Sequence, residues 1–164
     1  MPSVLLPVTH RVQRIDGLCL AVSAQMILEY LGEPASEADL IRRLRIKILV
    51  GTPFPMIERL RSRRIDVRLA SLTDSQLRLQ LDQNRPVICR VWTVMLPYWN
   101  GENTSHVAVV VGYDDRYVYL NDPAFPDAPQ AVLWDGFLAA WDEYDRMAAI
   151  IQPSAHYSLP HNPH

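Results

Sequence analysis

Apolar and polar positions in the first half of the chain follow a helical period. Residues 18–31 are almost all apolar, and Gln25 and Glu29, four positions apart, form one narrow polar stripe. This pattern predicts a central, mostly buried helix, with Asp16 as its N-cap and Gly32 as the left-handed residue after its end. Four further helices are predicted over residues 36–46, 53–63, 74–83 and 134–144, with caps at Ser36 and at Thr73 or Asp74.

A β-branched pattern replaces the helical one after Pro86. It predicts strands over residues 87–94, 107–113, 117–120 and 147–151, in addition to a short strand over 65–70. Asp114 and Asp115 lie between two of these strands and indicate a tight turn, so residues 107–113 and 117–120 should form a hairpin. Residues 107–111 are all apolar, which predicts a strand covered on both faces. Since helices come first and antiparallel strands follow, the predicted fold class is α+β.

The length and composition narrow the class of protein. A chain of 164 residues, 49% hydrophobic, can bury one core of ordinary size, so we expect a single domain over residues 1–152 and a flexible Pro/His tail over 153–164. The 16 basic and 18 acidic residues give a net charge of −2, which argues against nucleic acid or an anionic membrane as a partner. No apolar run approaches the length of a membrane span, and the N-terminus is too short and proline-broken for a signal peptide, so a soluble cytoplasmic protein is expected.

Charge is distributed unevenly along the chain. Residues 42–68 carry nine basic and two acidic residues, a net +7, whereas residues 101–145 carry nine acidic residues and one basic residue, a net −8. We interpret these segments as two solvated faces, although they could also face each other or a polar substrate.

Two cysteines exclude a framework of several disulfides, so each is considered separately. Cys89 lies in a β-branched run, where a thiol usually acts as a small buried hydrophobe. Cys19 lies in the first turn of the predicted buried helix. The positive end of a helix favours the thiolate, which is the nucleophilic form of cysteine. Cys19 is therefore a candidate nucleophile, or else a buried structural cysteine.

Histidines are few enough to narrow the choice of a base. Three of the five lie in the tail, at His156, His161 and His164, and the body of the chain has only His10 and His106. The tail spacings lack the rigidity of a metal site, and no metal or other cofactor is expected. His106 opens the apolar strand and needs a partner for each ring nitrogen, either as a catalytic base or as a structural histidine.

Two further side chains have the spacing of a catalytic site. A two-residue turn places Asp122 one position from direct opposition to His106, and a three-residue loop places it directly across the hairpin. There Asp122 could orient the imidazole, although an Asp-Pro pair is also a common start of a turn. Gln13 precedes Cys19 by six residues, so a loop could return its amide to the helix start as an oxyanion donor. Alternatively, Gln13 is an exposed loop residue.

Taken together, these segments resemble a known family. Residues 13–32, with Gln13 six positions before Cys19, resemble the catalytic helix of papain-like cysteine peptidases. They are most similar to the bacteriocin-processing branch, which removes double-glycine leader peptides. Residues 105–115 and 119–124 resemble the His and Asp motifs of that branch. The resemblance implies a papain-like fold, with N-terminal helices packed on a C-terminal antiparallel sheet.

The resemblance also implies roles for individual residues. Cys19 would be the nucleophile, His106 the general base and Asp122 the orienting carboxylate, and Gln13 with the Cys19 backbone N–H would form the oxyanion hole. Leu20 departs from the family, which usually has Gly after the nucleophile. We therefore expect a thiol-dependent hydrolase that cleaves a peptide or amide bond in a peptide or protein substrate. The alternatives are a non-catalytic peptide-binding module of the same fold and an acyltransferase with the same triad.

Aromatic residues just before His106 are candidates for substrate binding. Trp92, Tyr98 and Trp99 lie at a predicted strand end and in the following loop, and loops beside a catalytic strand often line its cleft. Packing in the core or the loop is the alternative for each of them.

Overall fold

The structure, a computed structural model, describes residues 2–155, with side chains from Val4 onward. Within this range the chain forms four α-helices and a seven-stranded sheet in which every pairing is antiparallel. The tail predicted over residues 153–164 falls, from residue 156 onward, outside the described residues.

The elements are α1 to α4 and β1 to β7 in chain order. The helices are α1 (Cys19–Tyr30), α2 (Glu37–Arg43), α3 (Asp74–Asp82) and α4 (Trp134–Asp142), and 3₁₀ segments lie at Phe54–Leu60, Thr93–Met95 and Pro97–Trp99. The strands are β1 (Pro2–Leu5), β2 (Ile65–Ser71), β3 (Val87–Trp92), β4 (Ser105–Asp114), β5 (Tyr117–Asn121), β6 (Gln130–Leu133) and β7 (Met147–Pro153). The strand order is β2-β7-β3-β4-β5-β6, with β1 paired to the end of β4. Helix α1 packs on β4 and α4 packs on β3, so the predicted α+β fold with helices on an antiparallel sheet is confirmed.

Helix α1 is the predicted buried helix, but its start differs from the prediction. The N-cap is Leu18, with no side-chain cap, and the prediction of Asp16 as N-cap is wrong. Gly17, at φ +90°, turns the chain between these two residues, and the Asp16 carbonyl accepts the N–H of Leu49 at 3.0 Å. Gly32, at φ +79°, is the left-handed residue at the other end, as predicted.

The predicted starts of α2 and α3 are confirmed, whereas the helix predicted over residues 53–63 is not an α-helix. Ser36 caps α2, and Thr73 forms a capping box with Gln76 at the start of α3. Residues 53–63, predicted as a helix, contain the shorter 3₁₀ segment Phe54–Leu60. Pro55 lies within its first turn and has no N–H to donate.

Two strands, β1 and β6, were not predicted from the sequence pattern. Each has four residues, and β6 lies at an edge of the sheet. Pro2 lies in β1 and Pro129 directly precedes β6. Strands this short contain too few alternating positions to be distinguished from loops.

The hairpin of β4 and β5 is confirmed, but its turn is wider than predicted. Tyr113 pairs with Val118, whereas a two-residue turn would place it opposite Arg116. The carboxylate of Asp114 accepts the N–H groups of Arg116 and Tyr117 at 2.8 and 2.7 Å, so a side chain organises the turn.

A bulge further along the hairpin determines where Asp122 lies. Between Val110 and Gly112 the register shifts by one residue, so that Val110 pairs with Leu120. Continued past the end of β5, this register places Asp122 on the same face as His106 and diagonal to it. Neither predicted register, with Asp122 one place from His106 or directly opposite it, is therefore correct.

The core lies around α1 and β4. Residues 106–111 of β4 are each at most 6% exposed, which confirms the prediction of a strand covered on both faces. Eight of the 12 residues of α1 are buried. No helix among residues 2–155 is both long enough and apolar enough to cross a membrane.

Gly112 is expected to be needed for the pairing of β1 with β4. A Cβ at this position would overlap the carbonyl oxygen of Val4 and lie 2.9 Å from the Cα of Leu5. We expect Gly112→Ala to lower the free energy of unfolding by about 1–3 kcal/mol, measured by urea denaturation. Gly136→Ala is the control, because the nearest atoms there are 3.5 and 3.7 Å away and alanine favours a helix. Equal unfolding midpoints for the two variants would contradict the prediction.

Candidate active site

Cys19 is the first residue of α1, and its side chain is partly exposed. The first N–H groups of a helix have no acceptor within the helix, and the side chain of the N-cap residue, Leu18, caps none of them. Cys19 therefore combines an accessible thiol with the backbone donors of a helix start. Cys89 differs from Cys19, because it lies within β3 and has no exposed surface. Burial also raises the pKa of its thiol.

His106, the second residue of β4, lies between Cys19 and Asp122. Its Nε2 donates a hydrogen bond to Asp122 Oδ1 at 2.6 Å. Interaction with Cys19 contributes to the raised pKa of its ring. Since Asp122 occupies Nε2, the nitrogen left for the thiol is Nδ1. The side chain is 5% exposed, so bulk water does not compete strongly for these contacts.

The carboxylate of Asp122 is completely buried and accepts four hydrogen bonds. Oδ1 accepts from His106 and from the N–H of Ala124, at 2.6 and 2.9 Å. Oδ2 accepts from the hydroxyl of Tyr98 at 2.6 Å and from the indole of Trp99 at 3.0 Å. Burial by itself raises the pKa of Asp122, but the hydrogen bond and charge of His106 and the other donors outweigh it and lower that pKa. Asp122 is therefore ionised at neutral pH.

The same contacts shift the titration of His106. Burial by itself lowers its pKa, but the hydrogen bonds and electrostatic attraction of Asp122 and Cys19 together raise it from 6.5 to about 9. At neutral pH the imidazole is therefore protonated and lies between an anionic carboxylate and the sulfur of Cys19.

Gln13 lines the pocket that contains Cys19, and its loop is attached to the loop that follows β5. The N–H of Gln13 donates to the carbonyl of Pro123 at 2.7 Å. Its Oε1 is buried and has no hydrogen-bond partner among residues 2–155. His10 Nε2 donates to the carbonyl of Phe125 at 2.7 Å. The loop that contains Asp122 therefore also positions Gln13.

The three predicted substrate-binding aromatics have different surroundings. Tyr98 and Trp99 both donate to Asp122, and the Trp99 ring packs edge-to-face on His106 with centroids 4.8 Å apart. Trp99 also lines the pocket at Cys19, whereas Trp92 stacks on Tyr144 at 6.3 Å and lines neither pocket there.

Sequence reasoning did not identify Phe125, which packs edge-to-face against both Tyr98 and Trp99 with centroids 5.0 Å apart. It also missed the use of Tyr98 and Trp99 as donors to Asp122. Two adjacent aromatics with polar groups, just before the histidine strand, were the available signal.

Two adjoining pockets, of about 360 and 610 Å³, meet at Cys19 and His106. Both are open to solvent beside the thiol, so a ligand can reach it. Leu20, the departure from the family pattern, is 1% exposed and lines neither pocket. A further pocket of about 340 Å³ lies against α2 and β2 and has no cysteine or histidine in its lining.

The charge state of His106 can be tested by titration. We expect its imidazole to lose a proton near pH 9 in NMR spectra, and Asp122→Asn to move that midpoint to lower pH. Because this pKa lies above the ordinary 6.5, the interaction stabilises the fold fully below pH 6.5, and the contribution is lost as pH rises through 9. A His106→Gln spectrum identifies the signal. A midpoint at or below pH 6.5 in the unmodified protein would contradict the assignment.

Several solved structures share this fold at low sequence identity. A protein from Bacillus anthracis described as a C39-like peptidase has a TM-score of 0.72 and 17% identity, over 90% of this chain and 96% of that one. The peptidase domain of Streptococcus ComA, a bi-functional ABC transporter involved in a quorum-sensing pathway, has a TM-score of 0.73 and 19% identity. The match covers 90% of this chain and 99% of that one. A double-glycine-motif protease from an AMS/PCAT transporter, in complex with the leader peptide, has a TM-score of 0.64 and 17% identity. The match covers 93% of this chain and 96% of that one.

The sequence of the chain, in addition to its fold, indicates its family. No curated protein sequence matches the chain. The sequence profile of the Peptidase_C39 like family matches residues 5–149, a range that contains Gln13, Cys19, His106 and Asp122. This confirms the resemblance to the double-glycine peptidases, and it supports a function of the cysteine peptidase type. The chain therefore belongs to the Peptidase_C39 like family.

Proposed function

We propose that the protein is a thiol-dependent hydrolase that cleaves a peptide or amide bond with a triad of Cys19, His106 and Asp122. The observation that carries this proposal is the position of His106, whose Nε2 donates to Asp122 at 2.6 Å and which lines the same two pockets as Cys19. This is the order of nucleophile, base and orienting carboxylate that a catalytic triad uses for nucleophilic acyl transfer.

Catalysis begins from the ion pair in which His106 already holds the proton of the Cys19 thiol. The raised pKa of His106, about 9, favours the protonated imidazole, and the thiolate attacks the carbonyl carbon of the substrate. His106 then gives its proton to the leaving amine as the C–N bond breaks, which leaves an acyl group on Cys19. Neutral His106 next removes a proton from water, whose oxygen attacks the thioester and releases the acid.

Asp122 acts on this cycle through His106. Its hydrogen bond to Nε2 orients the ring so that Nδ1 is directed to the thiol, and its charge stabilises the imidazolium. The donors Tyr98 and Trp99 keep the carboxylate in one position and ionised.

The oxyanion of the tetrahedral intermediate would be stabilised by two donors. One is the backbone N–H of Cys19, at the uncapped start of α1. The other is Nε2 of Gln13, whose residue lines the pocket at Cys19 and whose loop is held by Pro123. Both donors belong to segments held by backbone hydrogen bonds, from Gln13 to Pro123 and from Val22 to Leu18.

A peptide substrate is favoured over a small amide. The two pockets extend from Cys19 with volumes of about 360 and 610 Å³, which suits side chains on both sides of a scissile bond. One protein of the same fold was solved in complex with a leader peptide.

Alkylation provides a direct test of the nucleophile. We expect iodoacetamide at pH 7 to modify Cys19 in the folded protein and to abolish hydrolysis of a fluorogenic peptide library, as does Cys19→Ala. Cys89, which is fully buried, serves as the internal control and should remain unmodified. Peptide mapping by mass spectrometry measures both sites. An unmodified Cys19, while an added free thiol is alkylated, would count against the proposal.

Replacing Gln13 separates oxyanion stabilisation from thiol reactivity. We expect Gln13→Ala to reduce kcat about 10²-fold. The rate of alkylation of Cys19 should change little, because iodoacetamide forms no oxyanion. Gln83→Ala, an exposed glutamine after α3, is the matched control and should retain full activity. Equal kcat values for the two variants would remove Gln13 from the mechanism.

A further inference from the structure

The two pockets that meet at Cys19 have opposite charge. The smaller pocket, beside Gln13, is lined by Asp16 and Glu102 and by no lysine or arginine. The larger pocket is lined by Lys47 and Arg90 and by no aspartate or glutamate. The nucleophile therefore lies between an acidic and a basic half of one cleft.

These charges are available to a ligand. Asp16, Glu102 and Lys47 are exposed, and none of them forms an ion pair with another of the residues 2–155. Arg90 donates to the Ser105 hydroxyl at 3.2 Å and lies 4.0 Å above a tyrosine ring, but no carboxylate in the described part of the chain pairs with it.

Two exposed apolar side chains lie where the acidic and basic halves of the cleft meet. Leu49 and Val50 are 72% and 80% exposed, Val50 lines both pockets, and Leu49 lines the smaller one. Their loop rests on the turn before the nucleophile, since the Leu49 N–H donates to the Asp16 carbonyl at 3.0 Å. A Cβ on Gly17 would lie 2.7 Å from that same nitrogen, so only glycine allows this approach. Exposed apolar side chains held in this way suit an apolar residue of a bound peptide.

We propose that the cleft selects bipolar peptides. Basic side chains on one side of the scissile bond would bind the half with Asp16 and Glu102, and acidic side chains on the other side would bind the half with Lys47 and Arg90. An apolar residue near the bond would contact Leu49 and Val50. The inference rests on the proposed function, because it names the substrate class of that site.

The unequal charge distribution along the sequence fits this arrangement. Lys47 belongs to the segment 42–68, of net charge +7, and Glu102 belongs to the segment 101–145, of net charge −8. The fold brings one residue from each segment to opposite sides of Cys19. Exposed ion pairs contribute only modestly to the free energy of binding. Each charged residue of the cleft is therefore expected to change selectivity about two- to fivefold, and less at high salt.

Cleavage profiling of a proteome-derived peptide library tests the proposal. We expect sites with opposite charges on the two sides of the bond, an acidic preference that Lys47→Glu reduces, and a basic preference that Glu102→Lys reduces. Arg63→Glu and Asp127→Lys make the same charge changes at exposed residues outside the cleft and should leave the profile unchanged. Cleavage that depends on Cys19 but shows no such asymmetry would overturn the inference and leave the proposed function intact.

If the protein cleaves no peptide, a binding measurement still tests the charge selectivity of the cleft. Two fluorescent nonapeptides of identical composition, Lys-Lys-Lys-Gly-Leu-Gly-Glu-Glu-Glu and its reverse, are titrated into the Cys19→Ala protein at low salt. We expect one to bind at least threefold tighter, and we expect Lys47→Glu to reduce the difference. This result would uphold the charged cleft even if the proposed hydrolysis failed. Equal binding of the two peptides, or no binding of either, would overturn the inference.

Discussion

The buried carboxylate of Asp122 is the interaction on which the rest of the site depends. A completely buried charge is costly unless it is paired and hydrogen-bonded, and four donors surround this one. Those donors come from β4, from the 3₁₀ segment Pro97–Trp99 and from the loop after β5. Satisfying one carboxylate therefore holds His106, Tyr98 and Trp99 in fixed positions relative to each other.

The loop that contains Asp122 also organises the other half of the site. Three hydrogen bonds connect residues 121–125 to the segment before α1: Asn121 to the Val8 carbonyl at 3.1 Å, Gln13 to Pro123 and His10 to Phe125, both at 2.7 Å. The orienting carboxylate and the proposed oxyanion donor thus share one support. Cys19 follows directly at the start of α1, where the uncapped helix end leaves its N–H free.

Around this centre, the side chains proposed to select the substrate contribute little to the core. Leu49 and Val50 are largely exposed, and Lys47, Asp16 and Glu102 are on the surface. Exposed residues can change without loss of stability, whereas the contacts of Asp122 cannot. The proposed chemistry and the proposed selectivity therefore depend on different parts of the molecule.

The sequence by itself determined the features that depend on residues close together along the chain. Helical periodicity predicted α1 and the position of Cys19 within its first turn, the β-branched run predicted β4 and the position of His106 at its start, and the spacing of these motifs indicated the family. Only the tertiary structure decided how the parts meet. The register of the hairpin depends on a bulge and on the Asp114 side chain, so counting from the turn misplaced Asp122. The use of Tyr98 and Trp99 as donors, and the contact of His10 with Phe125 across 115 positions, arise from packing that no local pattern encodes.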